Sequence, residues 1–222
     1  MSLLVVKVGG AVGDSAARRV LELAEGGSGV VVVHGAGPQI SEEMRRLGLP
    51  VEFVHGRRVT TAEGLAVVRR AFAAVNASLC AALGPRALPL FGDEIGLRAR
   101  QVPELGLVGD PLPSRPAAIA AALEDGSIPV VAPLAAGPLN VNADEAASAL
   151  AVGLAAERIL FLTDVPGLIL EGAVAPAIAA REAEGLLDAG ELQGGIVPKL
   201  RAAVAAARLG VRAEIGETAV LA

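Results

Sequence analysis

The chain has 222 residues, a formal net charge of −5, 53% apolar residues and only 2% aromatics, with no Trp or Tyr. Acids and arginines are interspersed, so there is neither a phosphate-neutralising basic stripe nor a base-stacking platform, and a nucleic-acid surface is excluded. A single cysteine, Cys80, excludes an internal disulfide and a cysteine metal cluster, and no apolar stretch reaches the roughly 18 to 20 residues of a bilayer span.

The opening MSLLVVKVGG lacks the basic leader and small-residue cleavage site of a signal peptide. A cytoplasmic location is therefore expected, with no membrane partner. LLVVKV (3–8) reads as a strand, and DSAARRVLELAEG as a helix capped by Asp14 or Ser15. VVVVH (30–34) is a second strand, followed after GAGP by a helix near 38–47. The apolar periodicity of 61–83 predicts a long helix, with Thr61 as its cap and Glu63 in its first turn. ALPLF (87–91) is a strand, and GLRARQVPELGLVGDP reads as a short hairpin with out-facing arginines.

A helix near 116–124 leads to the strand IPVVA (128–132), a helix over 144–156 and the strand RILFLT (158–163). APAIAAREAEGLLDAG predicts one or two short helices, 197–210 a helix ended by Gly210, and VRAEIG a last clear strand. Short β-branched runs alternating with Ala- and Leu-rich stretches are the pattern of βαβ units around a mostly parallel sheet. No linker separates the halves, so two lobes, 1–153 and 154–222, are expected to share one continuous sheet.

Two strands end in glycine-rich turns that open helices, KVGGAVGDS and VHGAGPQIS. Backbone N–H groups at such turns can hold phosphate or carboxylate oxygens, and glycine lets the anion come close. Either turn alone is ordinary βα punctuation. Two on neighbouring strands face the same carboxyl edge of the sheet, where open α/β sheets bind ligands.

Among 19 Lys plus Arg residues only Lys7 and Lys199 are lysine. Both stand beside glycine turns. Lys199 has an ordinary alternative as a solvated helix lysine, and Lys7 as an inward lysine on an edge strand. A compact ammonium suits charge spreading over a transferring phosphoryl group. GPLNVNADEAASAL sets Asn140, Asn142, Asp144 and Glu145 at a helix start. Capping by Asn142 or Asp144 accounts for one of them. A carboxylate between two lysines would hold both, and an amide would suit a substrate carbonyl or carboxylate. Arg57 and Arg58 in FVHGRRVTTAE are either a solvated pair or a fork for a small dicarboxylate. In FLTDVPGL, Thr163 and Asp164 form a plain turn or a ribose or phosphate contact.

Taken in order, KVGG, HGAG, GRRVT, NVNAD, TDVPG and GGIVPK resemble the amino acid kinase superfamily and, within it, the acetylglutamate kinases of arginine biosynthesis. The resemblance runs from Leu3 to about Gly216 and implies a three-layer αβα sandwich with a central, mostly parallel open sheet. It implies an N-terminal lobe for acetylglutamate and dimerisation, a C-terminal lobe for ATP, and magnesium bridged by the ATP phosphates with no protein ligand. Lys7 and Lys199 would stabilise the transferring group, Asp144 would organise them, and Gly9 and Gly10 would hold phosphate oxygens. On the acceptor side it implies Gly35, Ala36, Gly37, Arg58, Asn140 and Asn142. On the nucleotide side it implies Thr163, Asp164 and Gly195 beside the lysines.

Ala36 stands where the family has the middle glycine of HGGG, and ETAVLA follows AEIG where the family continues with a helix and a strand that wall the adenine. With no helical extension before Lys7, an arginine-insensitive homodimer is expected. Close alternatives are a kinase of carrier-linked aminoadipate and a catalytically weak amino-acid-binding module. The acceptor carboxylate, whose ordinary pKa is about 4.3, is ionised at neutral pH and needs no general base, so neither His34 nor His55 is required for chemistry.

Overall fold

A computed structural model describes residues 2–10, 14–163 and 165–222. The first βαβ unit is β1 (Leu3–Val8), α1 (Asp14–Glu25) and β2 (Gly29–His34). Then come α2 (Gly37–Arg46), a small hairpin of β3 (Phe53–Val54) and β4 (Arg57–Arg58), the long α3 (Ala62–Leu83) and β5 (Ala87–Phe91). A second hairpin, β6 (Ala99–Gln101) and β7 (Val108–Pro111), precedes α4 (Ala117–Glu124), β8 (Ile128–Ala132), β9 (Leu134–Ala135) and β10 (Leu139–Val141). The remainder is α5 (Ala143–Gly153), β11 (Arg158–Phe161), β12 (Ile169–Leu170), β13 (Ala173–Val174), β14 (Ala177–Ala179), α6 (Ala180–Ala189), α7 (Ile196–Arg208), β15 (Arg212–Ile215) and β16 (Thr218–Leu221).

Eight strands form the central sheet in the order β14-β16-β15-β11-β1-β2-β8-β5. Only the β15/β16 pair is antiparallel; the others run parallel. Strands from both halves of the chain thus make one sheet, as the absence of a linker led us to expect. β1 lies inside it, between β11 and β2. That removes the edge-strand explanation for Lys7.

Helices cover both faces, giving three layers. Leu4, Val6 and Val8 pack with Val20 of α1 and Leu79 of α3, while Val5 packs on the other face with Leu150 of α5 and Val204 of α7. Period-two alternation puts Lys7 on the same face as Val5, the side of α5. The four-stranded sheet β6-β7-β10-β9 stands beside the main one, and its β10 leads directly into α5.

Two sequence expectations change. Ala177–Ala179, expected to be helical, is β14, because its parallel partner β16 offers a ladder that alanine-rich propensity does not foresee. The strand in VRAEIG is not the last, since Thr218–Leu221 continues as β16 beside both β15 and β14. The cap of α3 is as expected: Thr61 Oγ1 accepts from Gly64 N at 3.1 Å. In length and composition α3 is apolar enough to cross a membrane, contrary to the span argument, but Leu65, Val68, Phe72, Val75 and Leu79 form a buried helical stripe. It packs by that stripe as an amphipathic helix of one outer layer.

Candidate active site

The carboxyl ends of β1 and β2 meet the first turns of α2, α5 and α7. Asn142 caps α5, its Oδ1 accepting from Asp144 N at 2.8 Å and Glu145 N at 3.2 Å. This is the capping alternative, realised by Asn142. Its Nδ2 donates to Gly56 O at 3.4 Å, so both ends of the amide hold backbone. Asp144 is thereby fixed in the first turn of α5, where the helix dipole favours a carboxylate. Lys7 Nζ lies 2.9 Å from Asp144 Oδ1, and each residue is only 5% exposed. A buried ion pair of this kind survives because each charge answers the other.

Lys199 sits in the first turn of α7, and its Nζ donates to Gly195 O at 3.2 Å. It borders three neighbouring cavities. One, of about 460 Å³, is lined by Lys7, Gly10, Ala36, Arg58, Asn140 and Asp144 among others. The second, of about 640 Å³, is lined by Thr163, Val165, Leu168, Leu192, Gly195 and Ile196 beside Lys199. Gly195 belongs to both walls. A third cavity, of about 410 Å³, joins Gly9, Gly10, Thr163 and Lys199. The two lysines expected from sequence therefore face common space. Asp164 lies outside the described residues.

The two glycine turns are in contact. A Cβ on Gly10 would come within 3.0 Å of Ala36 Cα, and Gln39 Nε2 donates to Gly10 O at 2.6 Å. Glycine is required at that close approach. Ala36 has φ −148 and ψ 29, outside the left-handed region, so its methyl is accommodated and its N–H survives. Gly35 differs from the expectation: its N–H already donates to Val8 O at 3.0 Å, because β1 and β2 remain paired up to the turn. The amides of this turn that remain at the N-terminus of α2, where an anion is favoured, are those of Ala36 and Gly37.

The two arginines of the β3–β4 hairpin have separate fates. Arg57 makes ion pairs with Asp110 and Glu145 at 2.7 and 3.0 Å. Burial opposes its charge, and the two carboxylates outweigh that and raise its pKa. Arg58 is buried and donates to Gly37 O at 3.2 Å and Ser41 Oγ at 2.7 Å, with the Phe53 ring 4.6 Å from its guanidinium carbon. No acidic side chain pairs with it among the described residues. Burial, with repulsion from Arg45, lowers its pKa. A buried guanidinium that borders a cavity and has no acidic partner among the described residues has donors suited to a carboxylate.

Asn140 Nδ2 donates to Thr60 Oγ1 at 3.0 Å, and Thr60 Oγ1 donates to Arg58 O at 2.8 Å. Thr60 also bonds β7's approach through its own N–H and C=O, to Leu105 O and from Leu107 N. Sequence reasoning gave Thr60, Ser41 and Phe53 no role. The available signal was Phe53, a rare aromatic just before an exposed turn. His34 is fully buried, its Nδ1–H donating to Gly35 O at 3.3 Å and its Nε2 accepting from Asn76 Nδ2 at 3.1 Å. Those partners select the neutral tautomer. Burial pushes its pKa down to about 4, the Gly35 bond opposing the shift.

Because the folded value lies below that of the unfolded chain, this contribution to stability is full above about pH 6.5 and lost as pH falls toward 4, by on the order of 3 kcal/mol. The His34 ring-proton resonance is expected to stay constant on acidification until about pH 5 and to titrate near 4. A midpoint at the ordinary histidine value would overturn this.

The amino acid kinase family model matches residues 2–216. An acetylglutamate kinase of Rubrobacter xylanophilus is 42% identical over 224 residues, covering 97% of this chain and 88% of that protein. One from Thermus thermophilus is 42% identical over 218 residues, covering 93% and 87%. A solved structure from Streptococcus mutans superposes with a TM-score of 0.90 at 28% identity, covering 99% of this chain and 98% of that one. Matched by the family model over nearly its whole length, with a similarly extensive match to these relatives, the chain belongs to the amino acid kinase family.

Proposed function

We propose that the chain transfers the γ-phosphoryl group of ATP to the γ-carboxylate of N-acetyl-L-glutamate, as in arginine biosynthesis. The carrying observation is Lys199 with Gly195 on the common wall of two cavities, one of them backed by the Lys7–Asp144 pair and by Arg58, which has no acidic partner among the described residues. The acetylglutamate kinase relatives support the choice of acceptor.

Arg58 binds the α-carboxylate of the acceptor, and Asn140, held by Thr60, lies near its acetylamino group. A γ-carboxylate oxygen attacks the γ-phosphorus, the bond to the β,γ-bridging oxygen breaks, and ADP leaves with that electron pair. The attacking group is already ionised, so no proton is moved. Lys7, held by Asp144, and Lys199 neutralise the charge that develops, together with the amides of Gly10, Ala36 and Gly37. Asn142, placed on the acceptor side by the family resemblance and offered as a cap by its own position, acts through that cap, which fixes Asp144.

The cavity of about 640 Å³ suits ATP in size, and its apolar wall of Val165, Leu168, Leu192 and Ile196 would take the base. Thr163, which lines it, would contact the nucleotide, and Asp164 is assigned to the nucleotide by the family resemblance alone. Magnesium would enter bound to the ATP phosphates, supplying charge neutralisation. Residues 1–153 would serve the acceptor and 154–222 the nucleotide. A homodimer is also proposed, supported by the free edge of β5, where Leu88 is exposed. We place the enzyme in the cytoplasm with the other enzymes of amino-acid synthesis.

ADP release measured with N-acetylglutamate, glutamate and carrier-linked aminoadipate tests the assignment. Turnover is expected with the first. Turnover confined to the carrier-linked substrate, or none with any, would reject it.

A further inference from the structure

The β3–β4 hairpin carries Arg58, yet little of the hairpin supports itself. Each strand has two residues, and the turn between them uses His55 at φ 49 and Gly56 at φ 80. Two positive φ values in succession fit a tight two-residue hairpin turn. An isolated two-stranded ribbon is at best marginally stable in water, and Phe53, Val54, His55 and Gly56 are all exposed. Something outside the hairpin must hold it.

Arg58 reaches α2 on one side. On the other, Arg57 Nε lies 3.1 and 3.0 Å from the two carboxylate oxygens of Glu145, and its NH2 donates to Asp110 Oδ1 at 2.7 Å. Glu145 follows Asp144 in the first turn of α5. Asp110 follows Gly109, the residue of β7 paired with Val141 of β10. The hairpin is thus tied to the turn that presents Asp144 to Lys7 and to the sheet that presents Asn140. At the tip, Gly56 approaches Pro198, the residue before Lys199; a Cβ there would lie 3.9 Å from Pro198 Cβ.

We infer that Arg57 is a positioning residue for the acceptor site: its fork to Glu145 and Asp110 holds the β3–β4 hairpin so that Arg58 meets the substrate carboxylate. The inference rests on the proposed acceptor reaction. It goes beyond that reaction because Arg57, although it borders the acceptor cavity beside Arg58, is assigned a role through the chain's own carboxylates, Glu145 at its Nε and Asp110 at its NH2. The pair with Glu145 is half-buried, so it is screened less than a surface pair.

The test is steady-state kinetics on the full chain with Arg57→Leu, Arg57→Lys, Glu145→Gln and the Arg57→Leu/Glu145→Gln double variant. Arg57→Leu is expected to raise KM for N-acetylglutamate about tenfold, with kcat and KM for ATP within about twofold of the parent. Arg57→Lys should recover part of the loss, since one ammonium can meet one carboxylate but not fork between two. The double variant should be no worse than Arg57→Leu, because the two residues act through one contact. An unchanged acceptor KM, equal losses in kcat and ATP affinity, or strictly additive variants would overturn the inference while leaving acetylglutamate turnover by the parent intact.

A second readout needs no substrate. Amide hydrogen exchange across 52–59 in the ligand-free protein should be faster in Arg57→Leu than in the parent. Equal exchange rates there would overturn the inference even if the parent proved inactive on acetylglutamate.

Discussion

Lys7→Arg is expected to lower kcat at least about a hundredfold while the protein stays folded, as removal of one charge-stabilising donor does in other acyl and phosphoryl transfers. A different cation at this position does not reproduce the lysine's contacts. Lys7 is buried between β2 and β11, and its ammonium lies 2.9 Å from Asp144 Oδ1. A guanidinium is planar and longer, so it can keep the ion pair or the approach to the phosphoryl group, but not both in the lysine's geometry. ADP release at saturating ATP and acetylglutamate reads the loss, and a thermal melt checks folding. Turnover within about threefold of the parent would remove Lys7 from the phosphoryl site.

Arg58→Leu should act on binding instead. Truncating one partner of a buried charge-assisted pair costs about 2 to 5 kcal/mol, so KM for acetylglutamate is expected to rise on the order of a hundredfold, with KM for ATP nearly unchanged. The free protein behaves differently from the complex. Arg58 has no acidic partner among the described residues, and burying a cation without one is unfavourable. The variant should therefore melt within a few degrees of the parent, whereas a structural arginine would take stability with it. An unchanged acceptor KM, or a collapse of Tm, would reject the carboxylate-binding role. Comparison with Arg57→Leu is informative, because Arg57 acts through the hairpin and its expected effect on KM is smaller.

The arginines also show where sequence reasoning stops. GRRVT marks two adjacent cations at the mouth of a helix, and alternation along a strand sends consecutive side chains to opposite sides. It does not say which of the two finds carboxylates. That depended on β7 and α5, whose Asp110 and Glu145 reach Arg57 only in the folded chain. Gly35 makes the same point from the backbone. The sequence shows a glycine turn, and the ladder between β1 and β2 decides that its N–H belongs to Val8 O. The strand at Ala177–Ala179 was invisible for a related reason: its ladder partner is β16, some forty residues on, and nothing local in an alanine-rich segment announces it.

What the sequence by itself determined is the set of local events. Valine runs bounded by glycines make strands ending in open turns, Thr61 caps α3, a polar cap opens α5, and the two lysines stand beside glycine turns in a chain that otherwise uses arginine. These follow from short-range sterics, capping and composition, which act within a few residues. Only the tertiary structure decided that β1 lies inside the sheet, that the Lys7–Asp144 pair is buried, that Thr60 links Asn140 to the arginine hairpin, and that Lys199 borders three cavities at once. Those outcomes depend on strand order and on which distant charges desolvate together. Both are set by the packing of the whole chain.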